Sequence, residues 1–409
     1  MSQYASQLMR VLDQRGYIHQ ATDAVALDAL AVNGIVPGYI GFDPTAPSLH
    51  VGNLVQIMLL RRLQQAGHKP IAVMGGGTGM IGDPSGKDRS RQMITADIVA
   101  TNIASIAQSF SNLLRFGDDP TDATIVDNAQ WLNDLNYVDM LRDVGPHFTI
   151  NRMLTFDSVK SRLDRERPLT FLEFNYMILQ AYDFRVLAQT HGCRLQFGGS
   201  DQWGNIVNGV ELARRMDGVE LFGLTTSLLT TADGAKMGKT AGGAVWLNED
   251  RLSAYDFWQY WRNVDDRDVG RFLRLFTDLP LDRIAELAAL EGGAINEAKI
   301  VLANAVTELV RGEDAAVSAA QTAAQTFDGS GKGDDLPRLA VGAEGMRIVA
   351  ALTELGFAGS GKEAKRKIAE GAVKLDETVV DDQAFVVLPD LDTEMKLSLG
   401  KKKHAIVSR

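Results

Sequence analysis

The stretch "GIVPGYIGFDPTAPSLHVGNLVQIMLLRRLQQAGHKPIAVMGGG", Gly34 to Gly77, holds a complete strand, helix and strand. Its opening, "GIVPGYIGFDP", is β-prone and bracketed by Pro37, Gly38 and Pro44, so it reads as a strand that ends in a turn. "LHVGNLVQIMLLRRLQQAG" follows with apolar residues at 51, 54, 55 and 58 and a stop at Gly67, the spacing of one helical face. "KPIAVMGGGTGMIGDPSG" is then an apolar strand running into glycines. Working outward, "ATIVDN" (Ala123 to Asn128) and "RLQFGGSD" (Arg194 to Asp201) read as further strands, the second feeding the helix "QWGNIVNGVELARRM". Alternating strands and helices predict an α/β fold with a doubly wound parallel sheet, whose ligands lie beyond the carboxyl ends of the strands. Asp43, Gly75 to Gly79, Asn128 and Gly198 to Asp201 all fall at such ends. Small and acidic groups in a ring suit a nucleotide or another polar small molecule.

The alternation stops after about residue 245, where "SAYDFWQYWRNVDDRDVGRFLRLF" and "INEAKIVLANAVTELVRG" keep a helical period with no strands between. "DGSGKGDDLPRLAVGAEG", Asp328 to Gly345, has linker composition. The remainder mixes two short helices with alternating strands, as a third, small module would. At 409 residues two or three domains are expected. No apolar run has membrane-spanning length and the N-terminus has no signal-like block, so a cytoplasmic protein with no membrane partner is expected. Cys193 is the single cysteine, which excludes an intrachain disulfide and a cysteine-rich zinc site. The net charge of -10 argues against coating nucleic acid by bulk attraction. It is unevenly spread, however: Met346 to Arg409 holds 11 Lys and Arg against 10 Asp and Glu.

Three glycine motifs point to the wrong chemistry. "GTGMIG", Gly77 to Gly82, fits the dinucleotide fingerprint, but its third glycine runs into the turn "DPSGK" rather than a helix. "GFAGSGKE", Gly356 to Glu363, nearly spells a P-loop. Glu363 replaces the magnesium-binding hydroxyl, and a helix precedes it where a strand is needed, so a helix-turn-helix junction is expected. "DGAKMGKT", Asp233 to Thr240, has its first glycine out of register for the same motif.

That last segment makes sense when joined to "HVGN", residues 50 to 53. Together "HVGN" and "KMGKT" (236 to 240) resemble the two signatures of class I aminoacyl-tRNA synthetases, with Asn53 in place of a histidine and Gly238 and Thr240 in place of serines. The chemistry is coherent. Attack of a carboxylate on the α-phosphate of ATP builds charge on the departing pyrophosphate, so catalysis is mainly positioning and charge stabilisation. Helix-start donors with His50, Asn53 and Thr45 would meet phosphate oxygens, Gly52 would let the nucleotide lie close, and Lys236 and Lys239 would close on the pyrophosphate. "YIGFDPTAPSLHVGN" (39 to 53), "GGGTGMIGDPSGK" (75 to 87), "FLEFNYMILQAYDF" (171 to 184) and "QFGGSDQWGN" (196 to 205) narrow the resemblance to bacterial-type tyrosyl-tRNA synthetases, over nearly the whole chain.

The resemblance implies a Rossmann-like catalytic domain over 1–228 with an inserted dimerisation region at about 131–163. It further implies a signature loop and helical anticodon-stem domain over 229–327, a linker over 328–345 and an S4-like RNA-binding module over 346–409. Tyr176, Gln180 and Asp183 share a helical face by their spacing, which alone leaves a solvated stripe equally open. By resemblance Tyr176, Gln180 and Asp83 hold the substrate ammonium, and Tyr39 and Asp183 bond a phenol hydroxyl. Gln202 orients the reacting groups, while Asp43, Gly52, Gly199, Asp201 and Lys239 bind ATP. Lys87 and Arg91 add weaker pyrophosphate contacts. Lys362, Lys365, Arg366 and Lys367 cluster on one helix as a local basic surface for RNA, where the bland alternative is a solvated helix balanced by Glu363 and Glu370. The expected partners are tRNA(Tyr), L-tyrosine, ATP and a second copy of the chain. Mg2+ arrives with ATP, and neither a protein metal cage nor a tightly bound cofactor is expected. The competing functions are a synthetase-like enzyme for another aromatic amino acid and a non-catalytic RNA-binding relative.

Overall fold

The computed structural model describes residues 2–83, 94–240, 243–327, 336–391, 393–400 and 403–409. They form two compact units. The first comprises Met1–Gly238, Trp246–Asn248 and Asp265–Ala298. At its centre are six strands: β1 (Gln20–Ala21), β2 (Pro37–Phe42), β3 (Lys69–Met74), β4 (Thr124–Asp127), β5 (Leu195–Gly199) and β6 (Phe222–Thr226), in the order β1-β6-β5-β2-β3-β4. All neighbours are parallel except β1, which caps the edge antiparallel to β6.

The stretch quoted at the outset builds β2, the helix Val51–Gln65 and β3, as its periodicities predict. Leu54, Ile57, Met58, Leu59, Leu60 and Leu63 are fully or almost fully buried, as are Ile71 to Met74 of the strand beside them. From β2 the chain moves outward through β3 and β4, then returns to β2's other side with β5 and β6. The strand order therefore reverses between β2 and β5, which is where an open α/β sheet leaves a crevice. The register makes the crevice visible. Only Gly38–Leu195 and Tyr39–Gln196 pair across this junction, although β2 runs on to Phe42 and β5 to Gly199. Beyond Tyr39 the two strands have no ladder, and the space between their ends is open.

One long helix walls this space with Tyr176, Gln180 and Asp183. Phe171–His191 begins with a capping box in which Thr170 and Glu173 exchange bonds of 3.1 Å, and it stops at left-handed Gly192. Trp203–Asp217 connects β5 to β6.

The second unit comprises Lys239–Val245, Glu249–Val264 and Lys299–Arg409. It contains the helices Ala254–Arg262 and Glu313–Phe327, then a C-terminal module with a five-stranded sheet and the helices Ile348–Glu354 and Gly361–Ala369. "GFAGSGKE" is the junction between those last two helices, as the sequence implies. The module has its own core, drawn from residues between Leu339 and Val407. Among the described residues no helix is long and apolar enough to cross a membrane.

Candidate active site

The crevice is a cavity of about 420 Å3 in the first unit. His50 is the N-cap of the helix Val51–Gln65, with extended backbone, and its Nδ1 accepts the Gly52 N–H at 3.0 Å. An accepting Nδ1 puts the ring proton of a neutral imidazole on Nε2. Asn53 completes the cap: its Oδ1 accepts the His50 N–H at 3.2 Å, which leaves the Nδ2 donors outside the cap. The polar residue at position 53 thus has a structural task, fixing the helix mouth, whatever it offers a ligand.

Residues 229 to 237 fold back as a hairpin closed by Met237 N–H to Leu229 O and Thr231 N–H to Ala235 O. Its end lies on the His50 helix mouth. A Cβ placed on Gly52 would come within 2.8 Å of Met237 O and of the His50 ring. One placed on Gly238 would come within 2.8 Å of His50 Nδ1, and Gly238 has φ +104°. The two signature segments therefore meet glycine to glycine. The missing hydroxyl at 238 follows from this contact, because a serine has neither the room nor the backbone angle.

Asp43, just beyond β2, accepts from Thr78 Oγ1 at 3.1 Å and from the Tyr176 hydroxyl at 3.2 Å. Asp127 Oδ1, at the end of β4, accepts the Gly76 N–H at 3.0 Å, and a Cβ on Gly76 would lie 2.1 Å from that oxygen. Gly75 and Gly76 thus bring backbone onto the carboxylates of Asp43 and Asp127, whereas Gly77 and Gly79 of "GTGMIG" lie against Leu132 and Pro44. The segment makes a 3-10 turn at Thr78–Met80 instead of a helix.

Asp183 sits at the pocket's base, 4% exposed. Asn128 Nδ2 donates to one of its oxygens at 2.9 Å and Trp131 Nε1 to the other at 2.7 Å. Burial pushes its carboxyl up to about 7; those two hydrogen bonds oppose the shift, and Asp43 and Asp127 reinforce it. Tyr39 is 2% exposed and its hydroxyl has no protein partner among the described residues. Burial, then the Asp183 charge, holds that phenol well above its ordinary range. Gln180, Gln196 and Gln56 also line the pocket, each with an unpartnered buried Oε1. Buried polar atoms are normally satisfied, so this group marks a site shaped for a polar ligand. Across the pocket Gln202 Nε2 donates to Asp83 at 2.7 Å, and Asn205 holds the Gln202 carbonyl at 3.1 Å.

Residues 35–328 match the family model described as tRNA synthetases class I (W and Y), and residues 346–392 match an S4 domain. The chain belongs to the class I tRNA synthetases. It is 68% identical over 409 residues to the tyrosine–tRNA ligase of Novosphingobium aromaticivorans, covering 100% of both chains. To the tyrosine–tRNA ligase of Zymomonas mobilis it is 59% identical over 408 residues, covering 100% of this chain and 99% of that one. Among solved structures it resembles a C-terminally truncated mitochondrial tyrosyl-tRNA synthetase of Aspergillus nidulans, with 29% identity and a TM-score of 0.72 over 79% of this chain and 95% of that one.

In this synthetase the pocket gathers Tyr39, Asp43, Thr45, His50, Gly52, Asn53, Asp83, Tyr176, Gln180, Asp183, Gly199, Asp201 and Gln202 along its wall. Lys236 does not line it; it is exposed on the hairpin, bridging to Thr230. Lys239 pairs through its backbone with Ala244, and its side chain, like Lys87 and Arg91, lies outside the described residues. Lys362, Lys365, Arg366 and Lys367 do share the helix Gly361–Ala369, where Lys367 reaches Glu370 at 2.9 Å and Arg366 reaches it at 3.6 Å. Sequence reasoning missed Gln56, Gln196, Thr78 and Trp131. Two of them carried a signal: Gln56 lies one turn from Gly52 on the same helical face, and Gln196 interrupts an apolar strand.

Proposed function

We propose that the chain is a tyrosine–tRNA ligase, which joins L-tyrosine to ATP as tyrosyl-adenylate with release of pyrophosphate and then passes the tyrosyl group to the 3′ end of tRNA(Tyr). The observation that carries this reading is the unpartnered Tyr39 hydroxyl near Asp183 at the base of the pocket. A phenol entering there donates to the Asp183 carboxylate and accepts from Tyr39. Phenylalanine would leave both groups desolvated and unpaired.

The other roles are read from the pocket's lining and, for the two lysines, from the signature loop that carries them. Gln180 Oε1, the Tyr176 hydroxyl oxygen and Asp83 receive the substrate ammonium, and Gln202, held by Asp83 and Asn205, orients the carboxylate for attack. Asp43, Gly199 and Asp201 meet the nucleoside at the carboxyl ends of β2 and β5. His50 Nε2–H, the Asn53 amide, Thr45 and the backbone N–H groups of the helix mouth stabilise the phosphates. Lys236 and Lys239 neutralise the leaving pyrophosphate, whose Mg2+ enters with ATP as part of the substrate. No group on the protein needs to transfer a proton, since a carboxylate displaces pyrophosphate directly.

The helix Gly361–Ala369 gives the C-terminal module its cationic face for tRNA. The 131–163 region supports a homodimer, because Tyr137, Val138, Leu141, Ile150 and Leu154 are each at least 39% exposed although the region buries Met140, Val144 and Met153 in a core shared with Met177, Ile178, Ala181 and Leu212. A cytoplasmic setting suits this reaction. Exchange of labelled pyrophosphate into ATP tests the whole reading: tyrosine must drive it and phenylalanine must not. Exchange driven only by tryptophan or phenylalanine would move the specificity, and none with any amino acid would leave an RNA-binding relative.

A further inference from the structure

The hairpin that carries Lys236 is anchored at two places, its near foot by a helix outside the pocket and the chain beyond its far foot by residues beside His50. At the near foot, the helix Asp266–Phe276 presents three side chains to it. Asp268 Oδ2 accepts the Ala232 N–H at 2.8 Å, Arg271 Nη1 donates to Thr230 O at 3.1 Å, and Arg267 Nη2 donates to Asp233 at 2.7 Å. Arg267 and Asp233 are exposed, so their pair contributes little. Asp268 is 4% exposed although Ala232 is exposed, so loosening the bond takes a donor from a buried carboxylate. At the far foot the chain returns beside His50. Leu247 N–H donates to Leu49 O at 2.8 Å, and Asn248, 7% exposed, takes the Ser109 hydroxyl at 2.6 Å while donating to Ser105 O at 2.9 Å and, through its backbone, to Ser48 Oγ at 3.2 Å.

Asp268 and Asn248 are absent from the cavity's wall, although the far foot bonds Ser48 and Leu49, which line it. What they share is the hairpin between them, whose last residues, Met237 and Gly238, rest on Gly52 and His50. We propose that Asp268, assisted by Arg271 and Asn248, is a positioning residue for the activation step, fixing the Lys236 hairpin so that its lysine is delivered to the departing pyrophosphate. This rests on the function proposed above. The physical basis is that a charge serves a transition state only when its approach is organised beforehand; an unanchored hairpin must be ordered again in each turnover. The residues that bind tyrosine lie on other elements, so tyrosine affinity is independent of the anchor.

The test compares full-length variants by tyrosine-dependent pyrophosphate exchange, with tyrosine affinity measured by equilibrium dialysis. Wild-type exchange checks the function itself, and only the ratio of variant to wild type bears on the anchor. Asp268→Ala is expected to lower kcat by about tenfold while tyrosine affinity stays within about twofold, and Asp268→Asn, which keeps an acceptor for Ala232 N–H, recovers most of the loss. In a Lys236→Ala background the same substitution is expected to cost less than about threefold, because the anchor acts through that lysine. An unchanged kcat, an equal loss with and without Lys236, or a loss of tyrosine affinity in step with kcat would each overturn the proposal. Should Asp268→Ala fail to fold, Arg271→Met serves instead: it keeps the stem, drops the donors to Thr230 O, and must show the same dependence on Lys236.

Discussion

At Asp183 a single carboxyl is balanced between two states, and its neighbours decide which one tyrosine meets. Burial pushes it up to about 7, while the Asn128 and Trp131 N–H groups stabilise the ion. The substrate phenol donates, so it needs the carboxylate. Tyrosine affinity is therefore expected to rise with pH through a midpoint near 7. Asn128→Ala removes a donor that favours the charged form, so its midpoint moves to higher pH, and dialysis across pH 6 to 9 reads the shift. A midpoint that moves down would reverse the assigned balance. Gly238 gives a second residue-scale prediction that runs against the motif. Gly238→Ser restores a serine of the family signature, yet φ +104° and the 2.8 Å approach to His50 oppose any side chain there. The variant is expected to activate tyrosine more slowly than wild type, with a backbone cost of about 1–3 kcal/mol against the conformation described here. Faster exchange would show that the hairpin reacts from another conformation. Roles at this scale were only partly legible in the sequence. The spacing of Tyr176, Gln180 and Asp183 put them on one face, while Gln196, a polar residue in an apolar strand, was passed over. Trp131 gave no signal, since its bond to Asp183 joins residues 52 positions apart and exists only after folding.

Elements were legible wherever burial was one-sided and less so where it was complete. The helices Val51–Gln65 and Trp203–Asp217 announced themselves by period and stop signals, and β3 by an apolar run. β6 did not: all five residues of "FGLTT" are buried, so alternation is absent, and glycine and two threonines dilute the apolar signal. β1, two residues long, is below the reach of any periodic pattern. A further bond between elements was hidden because it joins distant segments. Arg62, on the helix that His50 caps, is 2% exposed and pairs with Asp278, which Arg61 also holds at 3.0 Å. Arg62 and Arg15 both donate to Thr277 O, at 2.6 and 2.8 Å. This network secures the far end of the catalytic helix to the turn that follows Asp266–Phe276. Asp278→Ala leaves Arg62 buried beside Arg15 without its carboxylate and is expected to destabilise by about 3–5 kcal/mol, read as a lower urea midpoint. The sign with pH follows from the carboxyl itself. Although burial opposes its charge, the Arg61 and Arg62 interactions lower Asp278 from 3.8 to about 2, so its contribution is present above pH 4 and lost as pH falls through about 2. Acid unfolding of the variant should lack that component.

For the molecule as a whole, net charge misleads while its distribution informs. On the function proposed above, a chain of -10 would hold RNA through the four cations clustered on one short helix of a module near neutrality, where local potential matters more than the total. That module has a core of its own, running from Leu339 to Val407 and including the fully buried Ile348, Ile368, Val373 and Leu397. Among the described residues, the pocket's wall comes from between Tyr39 and Leu229. Removing residues after 345 takes away the cationic helix and most of that core without touching the pocket's wall. The truncated enzyme is therefore expected to keep tyrosine-dependent pyrophosphate exchange within about threefold of wild type, and to lose tRNA charging through a higher KM for tRNA rather than for tyrosine or ATP. Binding through the lost face is electrostatic, so the affinity of the full-length enzyme for tRNA must fall with added salt more steeply than that of the truncated one. Equal salt slopes, or loss of exchange on truncation, would assign the module a role in holding the catalytic unit together instead of in holding RNA.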